Sequence, residues 1–165
     1  MTELPGYRPS ILFVCTANIC RSPMAAGIFK KLLKTKSENW KKWKVESAGT
    51  WTSRGNPAAQ KAIDAMDERG IDIHDHASRP ITHLPLNRYR LILTMEAGQK
   101  EAIQIEFPAI ASRTYLLSEM IGETRNIKDP IGGTMQDFVK TADDLEHLLD
   151  EGFTKICRLV EPEGQ

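Results

Sequence analysis

The sequence predicts one α/β domain, a three-layer sandwich in which a four-stranded parallel sheet is flanked by helices on both faces. Three observations predict it. Short apolar runs alternate with stretches of helical periodicity, and the connections between the runs are too long for hairpins. The chain, at 165 residues with 41% hydrophobic and 27% charged, suits one core and shows no repeat, linker or low-complexity tract that would mark a second. Residues 1–165 therefore read as a single domain, with 1–9 as a short N-terminal tail. A domain of this length buries roughly 70% of the surface its unfolded chain exposes, enough to fold without disulfides or a structural metal.

The first strand is residues 10–15 (SILFVC), β-branched and aromatic like a strand buried on both faces. After the loop 16–21, Ser22 can serve as N-cap and Pro23 as first helical residue, with Ala25, Ile28, Phe29 and Leu32 following at helical spacing. A lysine-rich stretch, 34–44, contains Trp40 and Trp43, which read as packing residues, and leads to strand 45–49 (VESAG). Its lysines read as a solvated face. Asn56-Pro57 repeats the cap-then-proline signature ahead of Ala59, Ala62, Ile63 and Met66, and Gly70 is placed to stop that helix. Residues 91–95 (LILTM) and 113–117 (RTYLL) are strands three and four, separated by a helix over 96–106 that ends before Pro108. From Met135 onward, Phe138, Ala142, Leu145, Leu149, Phe153 and Ile156 fall on one side of a long closing helix.

Lys+Arg and Asp+Glu both total 22, so there is no basic excess to suggest nucleic acid or an anionic membrane as partner, and any anion site must be local. No apolar run approaches the roughly 20 residues that span a bilayer, and the first nine residues lack the order of a signal peptide. A cytoplasmic protein is expected. Three cysteines, an odd count without zinc spacing, fit a reducing compartment and at least one thiol with its own chemistry.

Chemistry concentrates in Cys15-Thr16-Ala17-Asn18-Ile19-Cys20-Arg21-Ser22, between a buried strand and a helix N-terminus. A loop in this position can curl its backbone N–H groups inward into an anion-binding nest reinforced by the helix dipole. Arg21 adds a planar fork of donors able to hold two oxygens of a tetrahedral oxyanion. The same field stabilises a thiolate at Cys15 and makes it a nucleophile at neutral pH. The Ser22 hydroxyl can either cap the helix or donate to the sulfur and ease its departure. Expelling an alkoxide or phenoxide requires a proton donor that can later activate water, and Asp129 is the candidate. Asp129-Pro130-Ile131-Gly132-Gly133 reads as a mobile surface loop, although an Asp-Pro pair is also a common turn former.

VCTANICRSP at residues 14–23 resembles the signature of the low-molecular-weight protein-tyrosine phosphatase family, C-x-x-x-x-x-R-S-P near the N-terminus with an Asp-Pro far downstream. Ser47-Ala48-Gly49-Thr50, Gly55-Asn56-Pro57, Gly70-Ile71-Asp72 and residues 76–79 also resemble family landmarks in the right order, so the similarity covers almost the whole chain. The resemblance implies hydrolysis of phosphotyrosine in a phosphorylated protein or peptide through a phosphocysteine. Cys15 would be nucleophile, Arg21 phosphate ligand and Asp129 general acid then base. Asn18, Ser47 and His76 would hold the loop open and Ser22 would partner the thiolate. It further implies inorganic phosphate as product and inhibitor, no cofactor and a monomer.

Several residues keep two readings. Cys20, five residues after Cys15, could form a disulfide with it on oxidation or be a small buried hydrophobe, as Cys157 is expected to be. Trp51 could line the mouth and stack on a flat ring. Neither spacing nor neighbours support zinc at His74, His76 or His83, and no metal is expected. Ile131-Gly132-Gly133 replaces the aromatic residues common after the Asp-Pro of tyrosine-specific members and resembles the bacterial protein-arginine phosphatase branch. Ile19, where that branch has Thr, favours a flat ring instead and is given more weight because it faces the reacting group. Arsenate reduction and a silent phosphopeptide-binding module are the further alternatives. The usual resolving cysteine pair of a reductase is absent near the chain end, and the set Cys15, Arg21 and Asp129 argues for turnover.

Overall fold

The computed structural model describes residues 8–161, so most of the tail assigned to 1–9 lies outside the described residues. Four strands, β1 (Ser10–Cys15), β2 (Lys44–Gly49), β3 (Leu91–Thr94) and β4 (Thr114–Leu116), form one parallel sheet in the order β2-β1-β3-β4. Among the described residues the α-helices are α1 (Arg21–Lys36), α2 (Gln60–Asp67), α3 (Ala97–Glu106), α4 (Met135–Glu151) and α5 (Phe153–Val160).

The pleat explains the three layers. Along β1, Ile11, Phe13 and Cys15 join a core with Phe29 of α1, Met66 of α2, Leu145 of α4 and Ile156 of α5. Leu12 and Val14 point the other way, against Ile103 of α3, Tyr89 and Ile110. Both faces of β1 are thus buried, as its uninterrupted apolar run requires.

The strands and α3 fall within a residue of the sequence reading at each end, and three helix boundaries differ by more. Helix α1 begins at Arg21 with Cys20 at the cap position, and the Ser22 hydroxyl makes no capping bond. Helix α2 begins at Gln60 because Ala59 donates its N–H to Ile19 O (2.9 Å), which holds the preceding segment extended against the loop after β1. Asn56 bonds Ser53 rather than capping the helix. The long closing helix is two helices, broken at Gly152. Gly70 does stop α2: at φ +72° it lets Ile71 N–H reach Met66 O and its own N–H reach Asp67 O, a Schellman closure.

Candidate active site

The carboxyl end of a parallel sheet, where strand order reverses, leaves a crevice, and the loop after β1 lies there. Its shape turns on Asn18, the one non-glycine residue with positive φ (+60°) among the described residues. Asn tolerates this left-handed conformation, and here its side chain is bonded on every side. Nδ2 donates to Ser22 Oγ (2.7 Å) and Ser47 Oγ (3.0 Å), while Oδ1 accepts from Arg79 N–H (3.0 Å). The Asn18 carbonyl accepts from His76 Nε2 (2.6 Å). Gly49, at the end of β2, makes room: a Cβ there would sit 2.5 Å from Thr16 O.

Inside this frame the Asn18 N–H donates to Cys15 Sγ (3.3 Å), and Ser22 Oγ lies 2.9 Å from the same sulfur. Ser22 is fully buried and serves the sulfur instead of the helix end. Arg21, 2% exposed, cannot remain charged at that depth without partners. Its Nη1 donates to Glu96 Oε2 (2.7 Å) and to Ile127 O (2.8 Å), and Nη2 lies 3.4 Å from Asp129 Oδ2.

Glu96, Gln99 and Ile127 were not singled out by the sequence. Glu96 lies two residues past the end of β3 and caps α3, at the sheet end that also carries Cys15, and that position is the signal that could have found it. Gln99 Nε2 bridges Glu96 (3.2 Å) and Thr16 Oγ1 (3.0 Å), and its Oε1 accepts from the N–H groups of Met95 and Glu96. Ile127 is fastened to the sheet by its own N–H, which donates to Met95 O (2.9 Å).

The Asp129 loop is built from turn chemistry. Ile131 N–H donates to Asp129 Oδ1 (3.1 Å), and Gly133 N–H closes onto Pro130 O (2.8 Å) across Gly132, whose φ of +76° the turn demands. Lys61 Nζ holds the loop from α2 through Gly133 O (2.8 Å). Asp129 is therefore both a turn former and a carboxylate beside Arg21, with its side chain about a third exposed.

Burial pushes the His76 pKa below its ordinary value, with Arg79 and Lys30 adding to the effect, so the ring at Asn18 is neutral and donates from Nε2. Burial also pushes the Cys20 thiol up to about 12, with the charges of Asp129 and Cys15 adding and Arg21 opposing. Cys20 is thus protonated and a weak attacking group at neutral pH, and all three sulfurs are free thiols. Cys157 is half-buried rather than fully enclosed, its thiol also pushed up, to about 11, chiefly by burial. Trp51 is 84% exposed, beside the loop through its N–H bond to Thr16 O. Ile19 is packed against the core, and Trp43 is buried while Trp40 is partly so. His74 is exposed and bonded to Asp72, and no cluster of metal-binding side chains exists among the described residues.

Residues 10–161 match the family model for low molecular weight phosphotyrosine protein phosphatase. A protein-arginine-phosphatase of Bacillus subtilis is 34% identical over 84% of this chain and 91% of its own. A probable low molecular weight protein-tyrosine-phosphatase of Ralstonia nicotianae is 34% identical over 91% of this chain and 97% of its own. The crystal structure of a low molecular weight protein tyrosine phosphatase from T. tengcongensis superposes with a TM-score of 0.82 at 34% identity, covering 88% of this chain and 98% of that one.

Proposed function

The chain belongs to the low molecular weight phosphotyrosine protein phosphatase family, a family of cysteine-based phosphatases, and from that premise we propose that it hydrolyses phosphotyrosine in proteins through a phosphocysteine at Cys15. The observation that carries this reading is the pair of contacts on one sulfur, Ser22 Oγ at 2.9 Å and Asn18 N–H at 3.3 Å, at the start of the helix that also carries Arg21. Both groups can donate to a thiolate, and the helix N-terminus adds partial positive charge.

In this mechanism Cys15 Sγ attacks phosphorus in line with the ester oxygen. Arg21 and the amides of Thr16, Ala17, Asn18, Ile19 and Cys20 hold the three equatorial oxygens, and Asp129 protonates the departing phenoxide. The S–P bond is then broken by water that has lost its proton to Asp129, with Ser22 stabilising the sulfur as leaving group. Glu96 and Ile127 O position Arg21; Ser47 and His76 position Asn18. Inorganic phosphate, the product, occupies the same donors and inhibits. Three free thiols fit the reducing cytoplasm as the enzyme's compartment, and the monomer is taken as the working unit.

Ile19 supports the tyrosine reading. A branched apolar side chain at this loop position suits a phenyl ring better than a phosphorylated guanidinium, and Trp51, exposed beside the loop, adds a flat surface at the rim. A phosphoarginine substrate is favoured instead by the loop, where exposed Ile131 and two glycines follow Asp129-Pro130, and by the name of the Bacillus subtilis relative. Peptides of one sequence bearing phosphotyrosine, phosphoarginine or phosphoserine decide between them. Phosphotyrosine is expected to give at least about tenfold higher kcat/KM than either other, the ratio that roughly one lost set of pocket contacts is worth. A higher value for phosphoarginine would reverse the assignment.

A further inference from the structure

β2 is an edge strand of the sheet, covered at its C-terminal end by Arg79 and Pro80, and a groove of about 820 Å³ lies between its N-terminal half and the C-terminal half of α1, away from Cys15 and Arg21. Six basic side chains line it against two acidic ones, Glu46 and Asp72, in a chain whose formal net charge is zero. The excess is local. Lys34 and Lys41 each place an ammonium 5.5 Å from the centre of the Trp40 ring, and among the described residues neither has a carboxylate partner. A smaller hollow of about 350 Å³ shares Lys30, Val45 and Glu46 with the groove and continues to Ser47 and His76, on the flank of the phosphate loop. That hollow carries Glu46, Asp72 and Asp75 against Lys30 and Arg79, so the cationic surface is confined to the groove around Trp40 and the hollow only connects it in space to the flank of the loop.

Two features choose the occupant. Glu46 and Asp72 would repel a continuous phosphate backbone, whereas a polypeptide can keep them clear of its carboxylates. The β2 edge also offers main-chain groups: Lys44 N–H bonds inward to Pro9 O, and by the alternation of the strand the N–H and C=O of Val45 face out of the sheet. In the groove wall, buried Trp43 has an indole N–H without an acceptor among the described residues.

Resting on the phosphatase reading above, we propose that this groove is a docking site for an acidic, extended segment of the protein substrate, held by the lysines around Trp40 and by the β2 edge. Charge of this kind acts on encounter and local concentration more than on the chemical step, so it enters kcat/KM through KM.

The test compares phosphopeptides that share one phosphorylated core and carry either a glutamate-rich or a glutamine-rich extension, with p-nitrophenyl phosphate as a substrate too small to reach the groove. The acidic extension is expected to raise kcat/KM roughly fivefold or more, and ~0.5 M NaCl to remove the gain. Lys34→Glu/Lys41→Glu should abolish the gain with p-nitrophenyl phosphate turnover unchanged, and Lys34→Gln/Lys41→Gln should reduce it by part. Equal kcat/KM for the two extensions, or a gain that survives charge reversal, overturns the docking site. So does competition by single-stranded RNA or anionic vesicles where polyglutamate does not compete. Absence of p-nitrophenyl phosphate hydrolysis in the unaltered chain would instead overturn the phosphatase reading itself.

Discussion

Asn18 carries more of the site than its polar, uncharged side chain suggests. Its left-handed backbone turns one amide onto Cys15, its side chain ties Ser22 to Ser47 and to Arg79, and its carbonyl leans on His76. The parts of this arrangement that lie within eight residues, Cys15 to Ser22, were legible in the sequence because strand, loop and helix start are local features. Glu96 was not, since its claim on Arg21 spans 75 residues and arises only when β1 and β3 pair. Ser22 was legible as a residue but not in its choice between cap and sulfur, which burial decides.

His76 gives this network a pH dependence. Its folded pKa is depressed by burial, so the unfolded chain takes up the proton at about 6.5 while the folded one resists it. The ring's contribution to stability is then fully present above about pH 6.5 and is lost as pH falls through the lower folded value. Thermal unfolding from pH 7.5 down to 5 should show a decline in Tm that is visibly shallower in His76→Gln. Parallel declines in the two proteins would mean that the ring is not held neutral.

Among the elements, the closing pair α4 and α5 shows where periodicity misleads. The apolar positions 138, 142, 145, 149, 153 and 156 continue without a phase break, yet the chain kinks at Gly152. A Cβ there would lie 2.7 Å from Met120 Cβ and 2.7 Å from Leu148 O. The gap belongs to another element's close approach, and no pattern within the helix records it. Replacing glycine by alanine in an ordinary helix interior stabilises by roughly 0.5–1 kcal/mol. Here the overpacking dominates, and Gly152→Ala is expected to cost about 2 kcal/mol and lower Tm by roughly 5 °C. Thermal denaturation checks the sign: a rise in Tm would show that the kink is not enforced by packing. The start of α2 teaches the same lesson, because the bond from Ala59 to Ile19 delays a helix that Asn56-Pro57 would otherwise begin.

At the scale of the molecule, the layered parallel sheet was legible from alternation and connection length, while the strand order β2-β1-β3-β4 was not, because it depends on which edges meet. That order does the positioning. It sets the loop after β1 between Gly49 at the end of β2 and Glu96 just past β3, and it brings the segment carrying Asp129 across from Met95. It also leaves β2 at an edge, where Lys30, Lys31 and Lys34 of α1 gather with Lys41 and Lys44 into a groove although the chain as a whole is neutral.

In the proposed reaction the sulfur of Cys15 takes the phosphoryl group. Rapid denaturation during turnover of p-nitrophenyl phosphate, followed by peptide mass spectrometry, reads this directly, and Asp129→Ala should raise the trapped fraction by slowing attack of water. A phosphoryl adduct is expected on the peptide containing Cys15, located on the sulfur. An adduct on another residue, or steady hydrolysis with none in Asp129→Ala, would contradict it.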